Sequence, residues 1–184
     1  NKNGKRWSTF KERGHRVMVF LDTCIWIELC GVKSPTTSNE IKQANMASTL
    51  LKKLMQNKET IVTCDEQLLE IISAVEKIKL KEYNRIAKQN GGSGCGNIKD
   101  FRNNRKTEFY SAKILCRNVI EDVKYFADVH NCAYSIDDIL SRIDVADIND
   151  CIYYDYCKNN KIEFYTFDGD IEKLGKIGIV HILK

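Results

Sequence analysis

Hydrophobic and polar positions along this chain change their period from one stretch to the next. Val17 to Leu21 is continuously apolar, the pattern of a short strand buried on both faces, and it runs directly into an acid, Asp22. After a loop around Pro35, Thr37-Ser-Asn-Glu40 has the form of a capping box. Ile41, Ala44, Ala47, Leu50, Leu51 and Leu54 then recur at helical spacing. Thr60 to Val62 predicts a second short strand, and Thr63-Cys-Asp-Glu66 reads as another capping box, opening a helix with the stripe Leu68, Ile71, Ile72, Val75 and Ile78. Gly91-Gly-Ser-Gly-Cys-Gly96 breaks that helix and is expected to be a flexible hinge or loop. Beyond it the pattern predicts a long helix over about 105–130, a small strand at Ala133 to Ser135 and a helix over about 148–158. Strands are expected at Glu163 to Thr166 and Val180 to Leu183.

Strands separated by helices imply βα units, hence an α/β fold in three layers with a parallel sheet covered on both faces. Ligands of such sheets bind beyond the carboxyl ends of the strands. Asp22 stands at one such end and Asp168 just past another, so topology alone is expected to bring them to the same edge.

At 184 residues and 43% hydrophobic content the chain is long enough for one well-cored domain, expected over residues 18–184. Residues 1–17 read as a basic extension, native or added, because Met18 opens the first strand. No apolar run approaches the ~20 residues of a membrane span, so a soluble, cytoplasmic protein is expected. None of the eight cysteines forms a C-x-x-C pair and several fall within apolar elements; they read as reduced, mostly buried thiols rather than as disulfides or a zinc site.

Charge is segregated along the chain. Residues 1–16 hold six Lys/Arg against Glu12, and residues 77–117 hold eleven against three acids, whereas the whole chain carries only +4. A basic arm beside an acidic remainder suits a polyanion gripped in one place and cut in another; a solvated helix face is the simpler alternative.

Four acids at the ends of separate elements, Asp22, Glu70, Asp150 and Asp168, suggest a metal centre. Two carboxylates ~5 Å apart repel by roughly 3 kcal/mol at an effective dielectric of ~20, so a cluster of four calls for a cation or protons between them. Oxygen donors select hard ions, Mg²⁺ or Mn²⁺, over zinc. Glu70 falls beside its helix's core stripe, Asp147 is the expected cap of the helix that carries Asp150, and Asp170 competes with Asp168 in Thr-Phe-Asp-Gly-Asp. Thr23 and Thr166 adjoin these acids, where their hydroxyls could orient a water or phosphate. Glu66, assigned to its capping box, and Asp155, about 140° around the helix from Asp150, are left out. His15, His130 and His181 lie outside the motifs. The glycine loop lacks the Gly-Lys-Ser/Thr of a phosphate loop, and Cys24 stands where an aspartyl-phosphate phosphatase would need a second Asp.

Taken in order, Val-Phe-Leu-Asp22-Thr23, the strand and helix from Ile61 to Glu70, Asp150 at the start of its helix, and Thr166-Phe-Asp168 eighteen residues later resemble the PIN-domain nucleases, and among them the ribonuclease toxins of VapC type. The resemblance spans about residues 17–183. It implies a five-stranded parallel sheet in the order 3-2-1-4-5, one or two Mg²⁺/Mn²⁺ ions held by the four acids, and hydrolysis of RNA. It further implies a homodimer and, for a toxin, a small antitoxin partner. Lys99, Arg102, Arg105 and Lys106 of the basic arm are the residues expected to hold flanking RNA phosphates. The central region from about Lys81 to Lys106 looks longer than in compact toxins. A housekeeping RNA-processing endonuclease, or a PIN-fold module that binds RNA or protein without cutting, is the alternative.

Overall fold

Five strands organise the computed structural model, which describes residues 17–175 and 178–184. They are β1 (Met18–Leu21), β2 (Thr60–Cys64), β3 (Ala127–His130), β4 (Glu163–Thr166) and β5 (Val180–Ile182), all parallel, in the order β3-β2-β1-β4-β5. The expected sheet and its strand order are therefore present. Around it stand α1 (Thr23–Leu29), α2 (Ser38–Gln56), α3 (Asp65–Gln89), α4 (Ile98–Asn104), α5 (Lys106–Phe126), α6 (Ile136–Leu140) and α7 (Ile148–Asn160), with a 3-10 turn at Gly169–Leu174. The basic extension inferred for residues 1–17, His15 included, lies outside the described residues except for Val17, which is exposed.

The unbroken apolar run of β1 follows from its central place. Successive side chains point to opposite faces, and both faces are covered. Val19 and Leu21 enter a core with Ile25 and Trp26 of α1, Leu54 of α2, Ile71 and Val75 of α3, and Val119 and Val123 of α5. Phe20 enters a second core with Val62, Phe164 and Tyr153, Tyr156 and Cys157 of α7. Phe20 is wholly buried, against Tyr153 at a ring-centroid distance of 5.0 Å and Phe164 at 5.6 Å. Truncating such a ring to alanine costs about 3–5 kcal/mol.

Several elements depart from the expected pattern. The third strand is Ala127–His130, not Ala133 to Ser135, and α5 stops at Phe126 instead of running on to His130. β3 is an edge strand paired only with β2 and buries only Ala127, so it carries no apolar run to mark it. The capping box of α2 forms as expected, with Thr37 and Glu40 bonding reciprocally. The second box does not: Cys64 caps α3 by position without a side-chain bond, and the Thr63 hydroxyl donates to Gln67 Oε1 at 2.8 Å. Gln67 Nε2 in turn donates to the Leu21 carbonyl at 2.8 Å, tying the start of α3 to the end of β1.

The glycine segment is tied down at Cys95. The Asn84 side chain clamps it from both sides, Nδ2 donating to the Cys95 carbonyl at 2.9 Å and Oδ1 accepting from Cys95 N–H at 2.7 Å. A side chain at Gly94 would displace this clamp, because a Cβ there would stand 2.5 Å from Asn84 Oδ1. Cys95, Phe101 and Ala112 then form a small core of their own with Leu80, Tyr83 and Phe109, which docks α4 and α5 on the outer length of α3. Among the described residues, no helix is long and apolar enough to cross a membrane.

Candidate active site: an acidic groove at the carboxyl edge of the sheet

The register of the sheet builds the site. Leu21 pairs with Tyr165, Asp22 N–H donates to the Tyr165 carbonyl at 2.9 Å, and so Asp22 leaves β1 beside Thr166 of β4. There Asp22 caps α1, accepting from Thr23 N–H on Oδ1 at 2.6 Å. Its Oδ2 accepts from the Thr166 hydroxyl at 2.6 Å and from the Cys24 thiol at 3.0 Å. The carboxyl is 8% exposed and its pKa is raised, chiefly by burial and further by the charge of Glu70, against the opposing pull of those hydrogen bonds. Burial, and then Asp22, push the Cys24 thiol up as well, so it stays a neutral donor.

Glu70 sits in the second turn of α3 and is gripped twice on Oε2. The Thr23 hydroxyl donates to it at 2.8 Å from α1, and the Tyr153 hydroxyl at 2.8 Å from α7. Asp168 follows β4, accepts from Asp170 N–H at 2.8 Å and so caps the 3-10 turn; its own N–H donates to Thr166 Oγ1 at 2.9 Å. Asp150, in the first turn of α7, is half-buried. Its pKa is pushed up to about 7 by desolvation, then by the charges of Asp22, Asp168, Glu70 and Asp147.

All four expected acids line one groove of about 1090 Å³, together with Thr23, Cys24, Asp147, Lys33, Lys81 and Arg85. Asp147 is the positional cap of α7, but its side chain makes no capping bond, contrary to expectation, and it lines the groove with the four acids. Asp170 points elsewhere, pairing with Lys173 at 3.0 Å, and Asp155 is held by Arg142. No histidine among the described residues lines the groove: His130 Nδ1 bonds to the Tyr156 hydroxyl at 2.9 Å, and His181 pairs with Glu163.

The cations of the groove are not those singled out from sequence. Lys99, Arg102, Arg105 and Lys106 lie on and between α4 and α5, off the groove. Arg102 pairs with Glu76 at 3.3 Å and covers the Phe109 ring, and Arg105 lies 5.5 Å over Tyr83. Lys81 and Arg85 line the groove instead, continuing the face of α3 that carries Glu70, Ala74 and Ile78 at helical spacing. That ladder was present in the sequence, as was the i, i+3 step from Asp150 to Tyr153. The pairing of Cys24 with Thr166 was not, because 142 residues separate them.

The donor set fits a hard divalent ion. It is oxygen-rich, burial and then neighbouring acids raise the pKa of Asp22 and Asp150, and Lys33, one of the groove's cations, is committed to Glu28 at 3.3 Å and Glu40 at 3.0 Å. A parallel sheet in this order, with its carboxylates gathered past the strand ends, defines an α/β protein with its site at the carboxyl edge. The chain matches the PIN domain family over residues 19–177, and it belongs to that family. PIN domains are generally metal-dependent nucleases. Among curated proteins and solved structures nothing matches the chain.

Proposed function

We propose that this PIN domain is an Mg²⁺- or Mn²⁺-dependent endoribonuclease, the toxin of a toxin–antitoxin pair. The observation that carries the nuclease reading is the convergence of Asp22, Glu70, Asp150 and Asp168 on one groove, where burial first and then the neighbouring acids push the Asp150 pKa up to about 7. Asp22, Glu70, Asp150 and Asp168 would hold the ion or ions, with Asp147 beside them. A bound ion supplies neutralising charge and lowers the pKa of the attacking water.

The chain's own residues do the rest. Thr166, Cys24 and the Thr23 N–H fix the rotamer of Asp22, and Thr23 and Tyr153 fix that of Glu70, so the acids are aimed before substrate arrives. Lys81 and Arg85 lie eleven and fifteen residues along α3 from Glu70, or ~16 and ~22 Å at 1.5 Å per residue. They hold phosphates that flank the scissile bond without touching it. The toxin role rests on the resemblance in order and spacing of the acids. The exposed apolar residues Tyr134, Ile136, Leu140, Ile143 and Ile148 supply surface for the antitoxin or second subunit that this role requires.

The test is cleavage of a labelled RNA by metal-free protein to which Mg²⁺ or Mn²⁺ is returned. Cleavage restored by either ion and stopped by EDTA supports the reading. Cleavage that survives exhaustive chelation refutes it, and tight RNA binding with no cleavage under any metal assigns the chain to the non-cutting alternative.

A further inference from the structure

A second cluster of ligand-type side chains stands apart from the groove. Cys64 ends β2, Glu66 lies in the first turn of α3, and Cys132 follows the edge strand β3. Sequence separates Cys64 from Cys132 by 68 residues, yet one atom each from Cys64, Glu66 and Cys132 lie within 4.8 Å of one another. Both thiols are buried and Glu66 is half-buried, so the cluster is dry on one side and reachable on the other. Glu66 does not make the capping box its position suggests, and among the described residues its carboxylate has no hydrogen bond or ion pair.

We propose that Cys64, Glu66 and Cys132 bind a thiophilic divalent cation of the zinc type, at a site separate from the acidic groove. Zinc takes sulfur at ~2.3 Å and carboxylate oxygen at ~2.0–2.2 Å in a tetrahedron, which sets neighbouring ligand atoms roughly 3.5–3.8 Å apart. The observed atoms, within 4.8 Å of one another, stand no more than about 1 Å beyond that spacing. Two thiolates and a carboxylate select zinc over magnesium, the reverse of the groove's preference. Three protein ligands leave the fourth position to water. The ligands sit where the N-terminus of α3 favours negative charge, which offsets the surplus anion of the bound site. The ion would fasten the exit of edge strand β3 to the first turn of α3, one turn before Glu70. A disulfide between the two cysteines would leave Glu66 unexplained.

Cobalt(II) tests the site independently of nuclease activity. The reduced full chain, with the groove saturated by Mg²⁺, is expected to bind one Co²⁺ with a thiolate-to-cobalt charge-transfer band in the near ultraviolet, bleached on adding Zn²⁺. The band should vanish in Cys64→Ser and in Cys132→Ser, weaken in Glu66→Gln, and persist in Cys24→Ser, whose thiol belongs to the groove. Zn²⁺ should raise the Tm of the wild type but not of Glu66→Gln, a half-exposed change that leaves the buried thiols in place. Absence of the band in the wild type, its survival in both serine variants, or recovery of Cys64 and Cys132 as a disulfide that binds no cobalt would overturn the proposal.

Discussion

The hydroxyl of Tyr153 on α7 donates to Glu70 Oε2 on α3 at 2.8 Å, joining the helix that carries Asp150 to the helix that carries Glu70. Tyr153 is wholly buried, and the bond ends on a carboxylate, the stronger class of hydrogen bond. Tyr153→Phe is therefore expected to lower stability by about 1.5–3 kcal/mol, read by denaturant unfolding. The loss should be largest in metal-free protein. Cleavage should require more Mn²⁺ for half-maximal rate, because Glu70 loses one of two groups that aim it. An unchanged metal requirement would leave Tyr153 with a packing role only.

Asp22→Asn is expected to abolish RNA cleavage while leaving the metal-free protein as stable as the wild type or more so. Burial and Glu70 both work against the Asp22 carboxylate, and the amide removes that charge while keeping an acceptor for Thr23 N–H. Cleavage and Tm measured on the same preparation decide it: a folded, fully active variant would remove the groove from the chemistry.

Asp150 gives the metal-free protein a pH dependence of known sign. Between the ordinary aspartate value of 3.8 and about 7, the folded chain keeps a proton on Asp150 that the unfolded chain has released. Through that window this group's contribution to stability falls as pH rises. Glu40, lowered to about 2 by bonds from Thr36 and Lys33, changes in the opposite direction and at lower pH. The difference in unfolding free energy between Asp150→Asn and wild type should therefore widen in the variant's favour from pH 4 to pH 8 without metal, and shrink when Mg²⁺ is added. A difference independent of pH would mean that Asp150 ionises normally.

Groove and arm cations can be separated by salt. Lys81→Ala with Arg85→Ala should weaken RNA binding and reduce its salt slope by about 1.4 units, at ~0.7 per phosphate contact on a single strand, with little change in turnover at saturating RNA. Neutralising Arg102, Arg105 and Lys106 together tests the arm. Arg102 and Arg105 are packed on Phe109 and Tyr83, so that triple variant should also lose thermal stability, which the groove pair should not. Equal slopes for the wild type and the Lys81/Arg85 variant would take RNA off this face of α3.

Much of this protein was legible in its sequence, because buried parallel strands and capped amphipathic helices are specified by neighbours a few residues apart. β1, β2, β4 and the Thr37–Glu40 box appear where local pattern puts them, the alternation of strands and helices implied a parallel sheet, and the order of its strands was expected from the resemblance to PIN domains. Asp22 and Asp168 were legible because strand ends of one sheet share an edge, a consequence of topology, whereas Glu70 and Asp150 were singled out by their places on the helices that follow and precede such strands. Local pattern erred where a tertiary partner outbid it. Thr63 turned to Gln67, and exposed β3 borrowed its hydrogen bonds from β2. Which cations face the groove and which are spent on Tyr83, Phe109 and Glu76 was decided only when α4 and α5 docked on α3. The meeting of Cys64 with Cys132, and of Cys24 with Thr166, was likewise decided by folding. Such contacts depend on where chain segments far apart in sequence come to rest, and that is fixed by the packing of whole layers, which no local periodicity records.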